Sequence, residues 1–152
     1  MKTLFQSLLL ITVILLTTSF QSQSKEATYS LTVTVEGLRN SKGVVQFALY
    51  NSDGTIPDEK FENYYRIKTS EINKNRAVIS FSELPQGRYA INILHDENEN
   101  GKIDKKFLLP LPKEGIGFSN YESIGLNNRP NFTRTSFLLN KNSTKEIKII
   151  YL

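Results

Sequence analysis

The chain has 152 residues, a formal net charge of +4 at pH 7, one histidine, and neither cysteine nor tryptophan. The length suits one domain after a short leader, and the absence of cysteine rules out disulfides and a lipid-modified cysteine. With one histidine and no thiolate, a zinc site of the usual ligands is excluded. A weak charge with no basic run interleaved with aromatics argues against nucleic acid as a partner.

Along the chain, Met1-Lys2 precedes an apolar stretch from Leu8 to Leu16 and a small, polar exit from Thr17 to Ser24. One basic residue, an apolar core too short for a bilayer and small exit residues describe a secretory signal peptide, residues 1–24, cut between 19 and 24. The remaining residues, 25–152, form a single domain with no further run of spanning length. The expected location is secreted or periplasmic.

Residues 29–36 alternate apolar and polar, placing Tyr29, Leu31, Val33 and Val35 on one face of a strand. Residues 44–50 give a second strand, expected to pair with the first as a hairpin across the turn at 37–43. A polar loop follows from Asn51 to Asn63, with one helical turn expected near 59–64. Residues 64–68 read as a short strand and 76–81 as a clearer one. Pro85 and Gly87 mark a turn, and 88–95 is the strongest strand pattern in the chain. Residues 105–131 hold three of the five prolines and three of the eight glycines and are expected to be irregular. Residues 132–139 and 145–152 close the domain as two strands. About seven short strands joined by polar turns predict an all-β fold, an antiparallel β-sandwich of the immunoglobulin-like kind or of the prealbumin-like kind that a resemblance given below implies.

Between the strongest strand and the irregular segment, residues 96–104 read Asp-Glu-Asn-Glu-Asn-Gly-Lys-Ile-Asp. Oxygen side chains at alternate positions, a glycine at the sharp turn and a closing carboxylate form the pattern of a Ca2+ loop. Asp96, Asn98 and Asn100 would give side-chain oxygens, Lys102 its backbone carbonyl, Asp104 a carboxylate, and Gly101 the turn. Position twelve of the loop is Phe107, where an EF-hand has glutamate, and the flanks are strands, so the site is not an EF-hand. Glu114 or Glu97 would then supply the bidentate ligand. The ion would be structural, held with an affinity of about 0.1 to 1 mM. The alternative is an Asx-rich turn without metal.

Three motifs in fixed order carry a resemblance: Leu84-Pro85-x-Gly87-x-Tyr89-Ala90, then His95-Asp96-x-Asn98-x-Asn100-Gly101-x-x-Asp104, then Glu114-Gly115-x-Gly117-Phe118-Ser119-Asn120. Together they resemble the bacterial "domain of unknown function 2141" family of small exported proteins. The first motif is also similar to the turn of prealbumin-like and collagen-adhesin B-type sandwich modules. The resemblance implies export and a sandwich fold and brings no activity. The chain departs from the family at Leu109-Pro110-Leu111-Pro112, where glycine-x-proline is usual before the glutamate.

His95 beside Asp96 invites a catalytic reading, but strand neighbours point to opposite faces, and a general base needs a partner placed by the fold. Ser119 lacks the glycine pattern of a hydrolase elbow. No enzymatic activity is expected. Phe118, Asn120 and Tyr121 form a candidate recognition loop for a glycan or peptide; the alternative is that Phe118 plugs the end of the sandwich. The sequence reads best as a calcium-stabilised binding or accessory module at the cell envelope, its partner an envelope protein or a glycan. The competing readings are a polysaccharide hydrolase using Asp96, Glu97 or Glu114, and a small-ligand carrier.

Overall fold

The computed structural model describes residues 26–125 and 127–152, so the expected signal peptide lies outside the described residues. Among the described residues there are eight strands: β1 (Thr28–Glu36), β2 (Val44–Tyr50), β3 (Arg66–Glu71), β4 (Ala77–Pro85), β5 (Gly87–Asp96), β6 (Gly115–Phe118), β7 (Phe137–Leu139) and β8 (Ser143–Lys148). One helical turn, α1 (Phe132–Thr135), precedes β7. The strands form two sheets, one ordered β4-β1-β8 and the other β3-β2-β5-β6 with β7 also pairing β5. The expected all-β sandwich is therefore the observed fold.

Alternation in β1 does what its pattern requires: Leu31, Val33 and Val35 are fully buried. They join Val45, Phe47 and Leu49 of β2, Phe81 of β4 and Ile91 and Ile93 of β5 in the principal core. The even-numbered residues of β2 and β5 point the other way, yet Ala48, Tyr50, Ala90 and Leu94 are also fully buried. Ile56, Phe61, Tyr121 and Phe132, from the connections 51–65 and 119–136, pack with them in a second apolar cluster. Covering both faces explains why β2 and β5 read as nearly continuous apolar runs.

Local structure differs from the sequence reading in several places. β1 and β2 do not form a hairpin: β1 pairs β4 and β8, whereas β2 pairs β3 and β5. The 37–43 connection instead carries the chain from one sheet to the other. The pairing of β1 with β8 is parallel, so the smaller sheet is mixed. Finally, 132–139 is not one strand. Asn131 caps a helical turn by accepting the Arg134 N–H at 2.9 Å, and only Phe137–Leu139 is extended. The expected helical turn near 59–64 is not formed, and β6 lies inside the segment read as irregular.

Two motifs owe their form to packing. At the β4–β5 corner, where the chain again changes sheets, the Tyr89 hydroxyl donates to the Pro85 carbonyl at 2.9 Å, an arrangement of the tyrosine-corner kind. At β6, the chain beyond β8 comes back across the sandwich, and Ile150 pairs with Ile116 through two backbone bonds of 2.7 and 3.0 Å. A Cβ on Gly115 would lie 2.5 Å from the Tyr151 ring, and one on Gly117 would lie 2.6 Å from the Lys148 carbonyl oxygen. Glycine is required there for close approach.

Candidate metal centre

The 96–104 loop begins where β5 ends. His95 and Asp96 occupy opposite faces, as neighbours in a strand must, and both are buried. The start of β2 presses on this point: Gly43 has φ +67°, and a Cβ there would fall 2.0 Å from the Asp96 carbonyl oxygen. The entry to the loop is thus fixed by backbone packing.

Within the loop, the Asp96 carboxylate accepts the N–H groups of Asn100 at 3.1 Å and Gly101 at 2.7 Å. Gly101 takes the sharp turn at φ +78°, as its position in the motif implies. Asn98 and Asn100 donate their side-chain amides to the two oxygens of Asp104, at 2.8 and 3.0 Å. Lys102, expected to offer its carbonyl, donates its own N–H to Asn100 Oδ1 at 3.0 Å. Gln46 of β2 donates to the Gly101 carbonyl at 3.3 Å, tying the loop to the outer face of the larger sheet.

Glu114, ten residues beyond the loop, returns to it. Its Oε1 accepts the Glu97 N–H at 3.1 Å and its Oε2 accepts the Asp104 N–H at 3.2 Å, so one carboxylate joins both ends of the loop. Burial pushes the Glu114 carboxyl above its ordinary value, the two backbone bonds oppose that rise, and the charges of Asp96 and Asp104 add to it. The donor set is therefore all oxygen, as a hard cation requires, and the buried Glu114 carboxyl lies beside two like charges. Among the described residues no three histidine or acidic side chains are grouped to hold a metal by themselves. A cation here would need the asparagine oxygens, which face it only if the amides of Asn98 and Asn100 turn over and give up the bonds those oxygens accept from the N–H groups of Asn100 and Lys102.

Glu97 is occupied elsewhere. Arg39 grips it with Nε at 2.7 Å and with Nη2, and the Asn40 amide donates to it at 2.7 Å. The Arg39 guanidinium holds the Glu97 carboxyl down at about 2, partial burial notwithstanding. Of the two residues considered for the bidentate position, Glu114 is the one that faces the loop. Arg39 also lies 4.8 Å from the centre of the Tyr151 ring, and its backbone N–H donates to the Tyr151 hydroxyl at 3.0 Å. His95 completes this belt. Its Nε2 is 3.0 Å from the Lys42 carbonyl, which can only accept, so that nitrogen carries the hydrogen and Nδ1 accepts from the Tyr151 hydroxyl at 2.7 Å.

The segment read as a recognition loop is largely interior. Phe118 and Tyr121 are buried in the second apolar cluster, ring centres 6.5 Å apart in an edge-to-face pair. Asn120 is exposed at φ +60° and donates to the carbonyls of Thr135 and Ser136 at 3.2 and 3.0 Å. Ser119, fully buried, bridges Ile91 N–H at 2.9 Å and the Thr135 carbonyl at 2.7 Å. These side chains hold the 119–136 connection against β5.

Fold and site together define a two-sheet β-sandwich module with an oxygen-rich loop at the end of its central strand. Residues 33–148 match the family described as "Uncharacterized protein conserved in bacteria (DUF2141)", and the chain belongs to that family. No curated protein matches it. Among solved structures it is similar to a fimbrial assembly protein from Parabacteroides distasonis, at 10% identity and a TM-score of 0.41, over 84% of this chain and 54% of that one. The chain thus spans about half the length of that structure.

Proposed function

We propose that the protein is an exported, non-enzymatic binding or accessory module of the bacterial cell envelope, and that its 96–104 loop takes one structural Ca2+. The observation that carries the metal reading is the return of buried Glu114 to a loop already containing Asp96, Asn98, Asn100 and Asp104. Those five side chains and the Lys102 carbonyl would hold the ion, which would supply positive charge to offset the effect of Asp96 and Asp104 on Glu114. The non-enzymatic reading is supported by His95, whose two ring nitrogens are both engaged in the belt. Of the carboxylates of a hydrolase reading, Asp96 and Glu114 are buried and bonded to backbone N–H groups, and Glu97 is held by Arg39 and Asn40. Export is supported by the leader pattern in residues 1–24.

Two measurements test this. Intact mass of the protein recovered from the envelope and the medium should show loss of the first 19 to 24 residues; a full-length cytoplasmic chain contradicts export. Calcium titration of the purified protein should give one site, absent in Asp96→Ala/Asp104→Ala. Equal binding by that variant places the ion elsewhere.

A further inference from the structure

Directly after the metal loop, residues 105–112 form a tight protruding hairpin. Lys105 and Pro112 bridge, the Lys106 N–H donates to the Leu111 carbonyl at 2.9 Å, and the Leu109 N–H donates to the Lys106 carbonyl at 3.2 Å. The apolar side chains at its tip face solvent: Phe107 is 88% exposed, Leu108 86%, Leu109 52% and Leu111 38%. Elsewhere among the described residues the exposed large apolar side chains are no more than 54% exposed, and only Tyr64 and Tyr65 adjoin one another in sequence. A contiguous tip of this kind on an otherwise polar surface marks an interaction site.

The backbone strengthens the point. Leu108 sits at φ +63°, a conformation that glycine or asparagine adopts at little cost and leucine does not. The chain keeps a large apolar residue where the turn alone would select a small one.

Charge decides the occupant. Lys102, Lys105, Lys106 and Lys113 flank the tip, and Lys105 pairs with Glu59 at 2.7 Å. Among the described residues the other three lysines make no ion pair. Asp104, the acid within this stretch, is turned to the amides of Asn98 and Asn100. An exposed apolar tip flanked in sequence by lysines, three of them without an ion pair among the described residues, fits a surface that is negative at its face and apolar just beneath it. We propose that the 105–112 hairpin is a peripheral membrane anchor, inserting Phe107, Leu108 and Leu109 into an anionic bilayer while the lysines meet the phosphate headgroups. Anchoring of this kind adds to the module role and does not depend on the calcium site.

The test is flotation of the protein, isolated from cells with the N-terminus they leave on it, with phosphatidylglycerol-containing and pure phosphatidylcholine vesicles. Chelator is present throughout so that no cation bridges the headgroups. Wild type is expected to float with the anionic vesicles and much less with the neutral ones. Phe107→Ser/Leu108→Ser is expected to lose at least about tenfold in partitioning. Lys106→Glu/Lys113→Glu should lose binding to a comparable degree, and added salt should weaken the wild type. Leu138→Ser, an exposed control on β7, should bind as wild type does. Phe107, Leu108, Lys113 and Leu138 are exposed and Lys106 is half-buried, so melting temperatures should change little. No flotation of the wild type, or flotation that survives both double substitutions, overturns the proposal. So does self-association that Phe107→Ser/Leu108→Ser abolishes without any vesicle binding, since the tip would then be a contact between copies of the chain.

Discussion

Glu114→Ala is the substitution that reports most directly on how the loop is held. In the wild type one carboxylate accepts two part-buried backbone donors, the N–H groups of Glu97 and Asp104. Removing it strands both. An unsatisfied buried donor costs about 1–3 kcal/mol; these are part-buried, so the lower end applies, giving about 2 kcal/mol for the pair. Relief of a desolvated carboxyl beside Asp96 and Asp104 returns part of that, leaving a net loss of about 1–2 kcal/mol. For a domain of this size that is about 3–8 °C in melting temperature. Glu114→Gln keeps one good acceptor and sheds the charge, so it should lose less than the alanine variant in chelator. Circular dichroism and tyrosine fluorescence follow the transition, since the chain has seven tyrosines and no tryptophan. Wild-type melting of Glu114→Ala in chelator, or a glutamine variant less stable than the alanine one, would refute the reasoning.

Asp96→Ala/Asp104→Ala should retain the β-sheet circular dichroism spectrum and lose any stabilisation by calcium. Gly43→Ala should destabilise by about 2 kcal/mol or more, because the new methyl group meets the Asp96 carbonyl and the residue is held at positive φ; an unchanged urea midpoint would contradict that packing. Burial, followed by the Asp58 carboxylate, pushes the Tyr50 phenol far above its ordinary value. The unfolded chain loses that proton near pH 10 and the folded chain does not, so stability should fall as pH rises above about 10, with Tyr50 ionising only on unfolding. Phenolate absorbance in which all seven tyrosines titrate together in the folded protein would contradict this.

Those elements whose signal is local were legible in the sequence. Period-two alternation placed β1 within a residue of its observed start, and the long apolar runs placed β2 and β5. The bends of the 96–104 loop followed from glycine and Asx chemistry, and Glu114 was one of two residues, with Glu97, considered for a return to the loop because a sandwich brings distant loops together. Pairing partners were not legible. The absence of a β1–β2 hairpin and the parallel partnership with β8 depend on which sheet each strand joins, and nothing in residues 37–43 signals a change of sheet. The helical turn at 132–135 was hidden because Phe-Thr-Arg-Thr favours strand, and one cap from Asn131 outweighs that preference. The belt of Arg39, Glu97, Tyr151 and His95 joins residues up to 112 positions apart. No local pattern announces it. Glycines 115 and 117 lie in a segment read as irregular, but packing against the end of the chain is their role.

Thermal unfolding in chelator, in millimolar calcium and in millimolar magnesium tests the central claim most directly. For an affinity of about 0.1 to 1 mM, 10 mM calcium should stabilise by about 1.4–2.7 kcal/mol, a rise of about 4–11 °C. The account predicts that rise with calcium, a smaller one with magnesium, and none in Asp96→Ala/Asp104→Ala. Identical melting of the wild type in chelator and in calcium would contradict it and leave residues 96–104 as a turn held by its own hydrogen bonds.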